Sequence, residues 1–260
     1  MLLAIDVGNS NLTVGVFAGS ELSAHGRFTT RRDATPDELG GQLLTFLNQR
    51  QVSGKVDAVA ISSVVPSLNQ PLAEMARSHF GVEPLLVGPG TRTGIEIHYD
   101  PPRDVGADRI VTAVGVHHRY GGPAIMVSFG TATVFDAIDA QGSYLGGAIA
   151  PGLQLSVDAL FARAARLPRV DLVAPGRTLG RTTVTSVQAG IMHGAAAQAE
   201  GMIARIRAEV EGDPKVVATG GLATLVAPLV RGVDHIDPLV LLEGLRVLEQ
   251  LNRPPADSRP

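Results

Sequence analysis

Met1-Leu-Leu-Ala-Ile-Asp6-Val-Gly8-Asn9-Ser10 opens the chain as a short apolar strand that ends in an aspartate and a Gly-Asn-Ser turn. A second apolar run, Leu12 to Phe17, follows, and Ala18-Gly19-Ser20 reads as a hairpin turn. The order carries chemistry. An aspartate at a buried strand end can hold a hydrated Mg²⁺, and the turn after it offers backbone N–H groups and small hydroxyls to a phosphate chain. The pattern then returns. Ala124 to Val127 is an apolar run ending Ser128-Phe129-Gly130-Thr131-Ala132-Thr133, followed by Val134 to Ile138 and a turn over residues 139–142. Asp6-Val-Gly8-Asn-Ser10 thus faces Ser128-Phe-Gly130-Thr-Ala132, with serine where the first copy has aspartate. A repeat of this period predicts two similar lobes with a cleft between them, each lobe contributing a phosphate-facing turn.

Composition narrows the function classes. A chain of 260 residues can bury a sizeable core, and 45% hydrophobic content with 30 glycines suits an α/β protein rich in tight turns. Aromatics are only 4%, with no tryptophan, and the net charge is −3, so neither stacking platforms nor a basic surface for nucleic acid is expected. The absence of cysteine excludes disulfides, thiolate metal sites and cysteine nucleophiles. No basic leader and no apolar run long enough to span a membrane is read, so a cytoplasmic protein without membrane partners is expected.

Along the chain, Thr35-Pro36-Asp37-Glu38 reads as a capped helix start, and Leu39, Leu43, Leu44 and Leu47 give its apolar stripe up to Arg50. Asp57 to Val65 reads as a strand, Leu68 to Phe80 as a helix and Pro84 to Val87 as a strand. This alternation favours a largely parallel sheet with helices against it. A loop from Gly88 to Gly106 leads into a helix whose first turn holds Asp108 and Arg109. By local sequence alone, Asp108 serves the helix dipole and Arg109 is solvated.

In the second half, residues 146–152 turn into a helix through Leu153, Val157, Leu160 and Phe161. Arg163 to Arg181 reads as irregular, and Thr182-Thr183 caps a long helix to about Val210. Its small-residue patch at residues 194–197 suits either a subunit contact or a core face. Val216 to Thr219 is a strand, and Gly220-Gly221 lets backbone approach a flat ligand such as adenine. A last helix spans Leu239 to Leu251, with a loose tail from Asn252. The adjacent His117-His118 do not face one way on a helix, which favours an exposed face over a metal site. Ser62-Ser63 lacks a histidine and acid for hydrolase work.

The ordered set Asp6-Val-Gly-Asn-Ser10, Tyr99, Gly106-Ala-Asp108-Arg109, Phe129-Gly-Thr131-Ala and Gly146-Gly-Ala-Ile-x-Pro151-Gly resembles the type III pantothenate kinases. These belong to the superfamily of acetate and sugar kinases, heat-shock ATPase chaperones and actin. The likeness runs from Leu2 to about Leu251. It implies two duplicated ribonuclease H-like lobes, residues 1–118 and 119–252, with residues 253–260 as a loose tail. It implies transfer of the γ-phosphoryl of ATP to the 4′-hydroxyl of pantothenate, the first step of coenzyme A biosynthesis, by a homodimer. Asp6, Val7, Gly8, Asn9, Ser10, Asn11, Leu12 and Thr13 would meet the ATP phosphates, with Asp6 facing Mg²⁺ through water. Gly130, Thr131, Gly220 and Gly221 would also contact ATP. Asp108 would accept the proton from the substrate hydroxyl. Tyr99, Gly106, Ala107, Asp108, Arg109 and Thr183 would contact pantothenate, Thr183 across the dimer interface.

The resemblance also implies a monovalent cation, K⁺ or NH₄⁺, on an aspartate at position 128. Here that residue is Ser128, which brings no charge and binds such an ion weakly. Asp136, eight residues on, would lie about 26 Å away along an extended strand. Two readings follow: a working kinase with altered or lost potassium dependence, or a catalytically impaired paralogue acting as a nucleotide-binding or regulatory protein. Some relatives are known as Bvg accessory factors, which gives the second reading its precedent. Intact Asp6 and Asp108 favour the first.

Overall fold

Strand β1, Leu2–Val7, forms on the opening apolar run. The structure, a computed structural model, describes residues 1–164 and 167–253. Strand β2, Asn11–Ala18, pairs antiparallel with β1, and Gly19 at φ +65° turns the chain into β3, Glu21–Thr29. No apolar run announces β3, because it is an edge strand whose side chains are half-buried or exposed.

Helix α1, Pro36–Gln49, starts where its cap predicts. The Thr35 hydroxyl accepts from the Glu38 N–H at 3.3 Å, and the Glu38 carboxylate accepts from the Thr35 N–H at 2.9 Å. Strand β4, Ala58–Ser63, runs parallel to β1. Helix α2, Asn69–Met75, continues as one π turn over Ala76–Phe80, and β5, Leu85–Leu86, completes the sheet. Helix α3, Ala107–Tyr120, follows the long loop.

The second copy repeats the plan. Strands β6 (Ala124–Phe129), β7 (Ala132–Ile138) and β8 (Tyr144–Pro151) precede helices α4 (Leu153–Arg163) and α5 (Thr183–Arg207). The stretch expected to lead into α4 is strand over residues 146–151, and the helix starts at Leu153. Then come β9 (Lys215–Thr219), α6 (Ala223–Val226), β10 (His235–Ile236) and α7 (Val240–Asn252). The sheets run β3-β2-β1-β4-β5 and β10-β9-β6-β7-β8, so each strand of one has a counterpart of the same pairing in the other. The buried face of α5 carries Ala189, Met192, Ala196, Ala199 and Ile203, so the small-residue patch serves in part as core.

Two compact units result: residues 1–118 joined by the segment that begins at Val240, and residues 119–239. The expected second lobe ran to residue 252, whereas α7 packs on β1, β4 and β2 of the first unit. The reason is packing. Leu3, Ile5, Val7, Val59 and Ile61 face α1 and α2, leaving the other sheet face to be covered by the stripe Leu242, Leu245 and Leu248. Helix α7 also touches α3 backbone to backbone: a Cβ on Gly115 would strike the Val240 carbonyl, and one on Gly244 the Val111 carbonyl. The tail expected from Asn252 begins later. The Asn252 side chain accepts from the Arg92 N–H at 3.0 Å and donates to the Arg92 carbonyl at 2.8 Å. Residues 254–260 of that tail, and residues 165 and 166 of the irregular stretch, lie outside the described residues.

Asp136 is not far from Ser128. The strand folds back, so Asp136 lies opposite Met126 while Ser128 lies opposite Val134. The two share one face of the sheet. No described helix is long and apolar enough to cross a membrane.

Candidate functional site

The first unit builds its phosphate-type turn from residues 8–11, where the Gly8 N–H donates to the Asn11 carbonyl at 2.9 Å. Residues after β3 brace it. The Thr30 N–H donates to the Ser10 carbonyl at 3.1 Å, and the Thr30 hydroxyl to the Gly8 carbonyl at 2.7 Å. Arg32 donates to Asn9 Oδ1 at 2.9 Å. Asn9 and Ser10 are exposed. Residues 6–13 therefore form one hairpin with its tip open to a ligand. Thr30 and Arg32 were not legible as partners, since nothing local links them to a turn twenty residues earlier.

Asp6 stands next to last in β1 between two hydroxyl residues, Thr13 on β2 and Ser62 on β4. Burial, and next the charge of Asp108, push its carboxyl up to about 7, while the Ser62 hydroxyl works in the other direction. The strand end and the first turn of α3 thus bring two carboxylates within electrostatic reach. Gly106 permits this conformation of Asp108, because a Cβ there would stand 2.6 Å from Asp108 Oδ1. Arg109 is not solvated. It is 8% exposed, and its guanidinium carbon lies 5.9 Å from the centre of the half-buried Tyr99 ring. Tyr99, Gly106, Ala107, Asp108 and Arg109 therefore gather around the start of α3. A metal-bound polyphosphate at Asp6 and an anionic hydroxyl compound at Arg109 suit this arrangement.

In the second unit the counterpart turn is one residue shorter. Val7 pairs with Leu12, whereas Phe129 pairs with Thr133, and the Gly130 N–H donates to the Ala132 carbonyl at 3.0 Å. Two glycines pack against it. Gly220, at φ +90°, would place a Cβ 2.7 Å from the Phe129 carbonyl oxygen, and Gly152 would place one against the carbonyls of Gly130 and Thr131. Gly130, Thr131, Gly220 and Gly221 are thus brought to one end of the sheet. Gly152 joins them, and only its position just before a helix hinted at this.

Ser128 occupies the place of Asp6, with Val134 and Thr219 as ladder neighbours. Two hydroxyls supply no charge, and the buried Asp136 accepts a hydrogen bond from the Tyr144 hydroxyl at 2.8 Å. This donor set does not fit a carboxylate-held monovalent cation. Asp6, by contrast, fits a hydrated divalent ion that also rides on phosphate oxygens. His118 pairs with Glu243 at 3.1 Å, and among the described residues no group of three or more His, Cys, Asp or Glu side chains could hold a metal.

Thr183 belongs to the second unit. It is exposed at the start of α5, in an open depression of about 680 Å³ with Gly180, Arg181, Thr182 and Ser186.

The family model described as type III pantothenate kinase matches residues 2–205. A type III pantothenate kinase from Moorella thermoacetica is 53% identical over 97% of this chain and 100% of its own length. Another, from Listeria welshimeri, is 45% identical over 99% of this chain and 100% of its own. Among solved structures, a ROK family glucokinase from Streptomyces griseus, in complex with glucose and AMPPNP, superposes with a TM-score of 0.57 at 13% identity. It covers 96% of this chain and 99% of that one.

Proposed function

The chain belongs to the type III pantothenate kinase family, and from that premise we propose how its residues share the work of phosphoryl transfer. The reaction is ATP-dependent phosphorylation of pantothenate at its 4′-hydroxyl, with a divalent metal accompanying ATP. The actin-like kinase fold agrees with it. The second reading, an impaired paralogue, finds no support in these relatives.

Residues 8–13 hold the ATP phosphates through backbone N–H groups and hydroxyls, and Asp6 accepts from the water shell of Mg²⁺. Gly130, Thr131, Gly220 and Gly221 are further ATP contacts. Arg109, with Tyr99 against it, takes the pantothenate carboxylate, and Gly106 and Ala107 line that site. Asp108 orients the 4′-hydroxyl and takes its proton as the P–O bond forms. Phosphoryl transfer needs alignment and charge neutralisation above all, and these residues supply both.

One observation carries the reading: Asp108, in the first turn of α3, lies near enough to Asp6 for its charge to raise Asp6. This supports setting the acceptor and metal–phosphate ends of the reaction side by side. Asp108→Asn should abolish turnover in a coupled ATP–pantothenate assay while leaving ATP binding in place. Full turnover in that variant would overturn the assignment.

Ser128 supports a kinase whose potassium dependence is altered or lost. A homodimer would bring Thr183 to a second copy's pantothenate. Val184 and Leu179, 43% and 83% exposed near it, support such a contact. The substrates of coenzyme A biosynthesis favour the cytoplasm.

A further inference from the structure

Ser62 and Ser63 differ in what holds them. The Ser63 hydroxyl donates to the Val65 carbonyl and accepts the Val65 N–H, both at 3.2 Å, so it shapes the turn after β4. Ser62 has no such task. It is fully buried, and its hydroxyl makes no close hydrogen bond; the group it acts on, at longer range, is the Asp6 carboxylate. Leaving a hydroxyl so costs about 1–3 kcal/mol. An alanine would fill the place without that cost.

Its position supplies a reason. Ser62 is the ladder partner of Asp6 across the parallel β1–β4 pair, so the two side chains stand side by side on one face. Helix α7 packs on β1 and β4; Ser62 is fully buried, while Asp6 keeps part of its surface exposed. The second unit repeats the arrangement one carboxylate short: Ser128 has the buried Thr219 as its partner on β9. Where strand ends carry a potential metal–phosphate contact, each sheet sets a buried hydroxyl beside it.

We propose that Ser62 is a positioning residue for metal-nucleotide binding: its hydroxyl donates to the Asp6 carboxylate from the buried side, holding the outer oxygen toward the water shell of the metal. This rests on the kinase reading and on Asp6 as the metal-facing group. That bond would be at full strength in the metal-nucleotide complex. Ser62 then acts through Asp6 and touches no substrate.

The test uses the full chain and calorimetric titration with a non-hydrolysable ATP analogue, with Mg²⁺ and again in EDTA. Ser62→Ala should bind the Mg²⁺ complex about tenfold more weakly, the worth of one hydrogen bond to a charged group. Binding in EDTA should be unchanged, and the thermal midpoint should not fall, since alanine removes the cost of the buried hydroxyl. Thr219 shows that a threonine suits the equivalent strand position, so Ser62→Thr and Ser62→Val form a pair of equal shape. The threonine should keep Mg²⁺-dependent binding and the valine should lose it, which decides the matter even if the alanine variant does not fold. Equal Mg²⁺ binding by threonine and valine variants would overturn the proposal. Equal losses with and without Mg²⁺ would also overturn it, as a structural effect. If the unaltered chain itself bound no Mg²⁺ complex, the kinase reading would fail first.

Discussion

The carboxylate of Asp108 folds back over Gly106, so closely that a methyl group on the glycine would meet Oδ1 at 2.6 Å. Gly106→Ala must therefore push the carboxylate aside. A displacement near 1 Å costs about a hundredfold in rate when a proton acceptor must meet a hydroxyl in line. Steady-state kinetics should show kcat lower by about that factor and KM for ATP little changed, with the circular dichroism spectrum of the fold retained.

Asp6 ties stability to pH. Unfolded it titrates near 3.8, and folded at about 7. The folded chain thus holds the extra proton between those values. The contribution is complete below pH 3.8 and is lost as pH rises through 7. Asp6→Asn removes this loss. Its thermal midpoint should gain on the parent between pH 5 and pH 8 by an amount worth on the order of 1–2 kcal/mol, after a discount for partial exposure. Turnover should vanish. Differential scanning calorimetry at both pH values checks the sign.

Gly220 combines φ +90° with a carbonyl 2.7 Å from where a Cβ would stand. Gly220→Ala should cost about 2–4 kcal/mol, strain and contact together. The midpoint should fall by roughly 5–10 °C in a thermal melt, and KM for ATP should rise.

Much of this was legible in the sequence. Thr35-Pro36-Asp37-Glu38 announced α1 because a capping box is local chemistry. The duplication was legible because Asp6-Val-Gly8 and Ser128-Phe-Gly130 repeat at matching places in two sheets. What was hidden depends on distant partners. Helix α7 carries the same apolar stripe whichever sheet it covers, so its return to the first unit had no local sign. An eight-residue separation reads as extended chain, but residues 130–132 reverse it and bring Asp136 back beside β6. Gly152 and Gly106 owe their meaning to a carbonyl and a carboxylate that only folding brings near. Ser62, one serine in a strand, says nothing until Asp6 stands beside it.

Ser128→Asp restores a charge beside Thr219. Turnover of the unaltered chain should differ little between potassium and sodium buffers of equal ionic strength. The variant should turn over faster in potassium than in sodium. A strong potassium requirement in the unaltered chain would show that two neutral hydroxyls suffice.

Arg109→Lys keeps the charge but loses the flat guanidinium beside Tyr99. KM for pantothenate should rise about tenfold with kcat and KM for ATP nearly constant. Initial rates over a grid of both substrates separate these parameters.

The cover that α7 lays over β1 and β4 has a consequence for biogenesis. Residues 119–239 are translated as one unbroken stretch, and every strand of their sheet is available before α7 is made. The half that emerges first from the ribosome waits for a helix made after that stretch. Assembly then runs against the direction of synthesis, and until α7 is made the face of β1 and β4 opposite α1 and α2 lacks its cover.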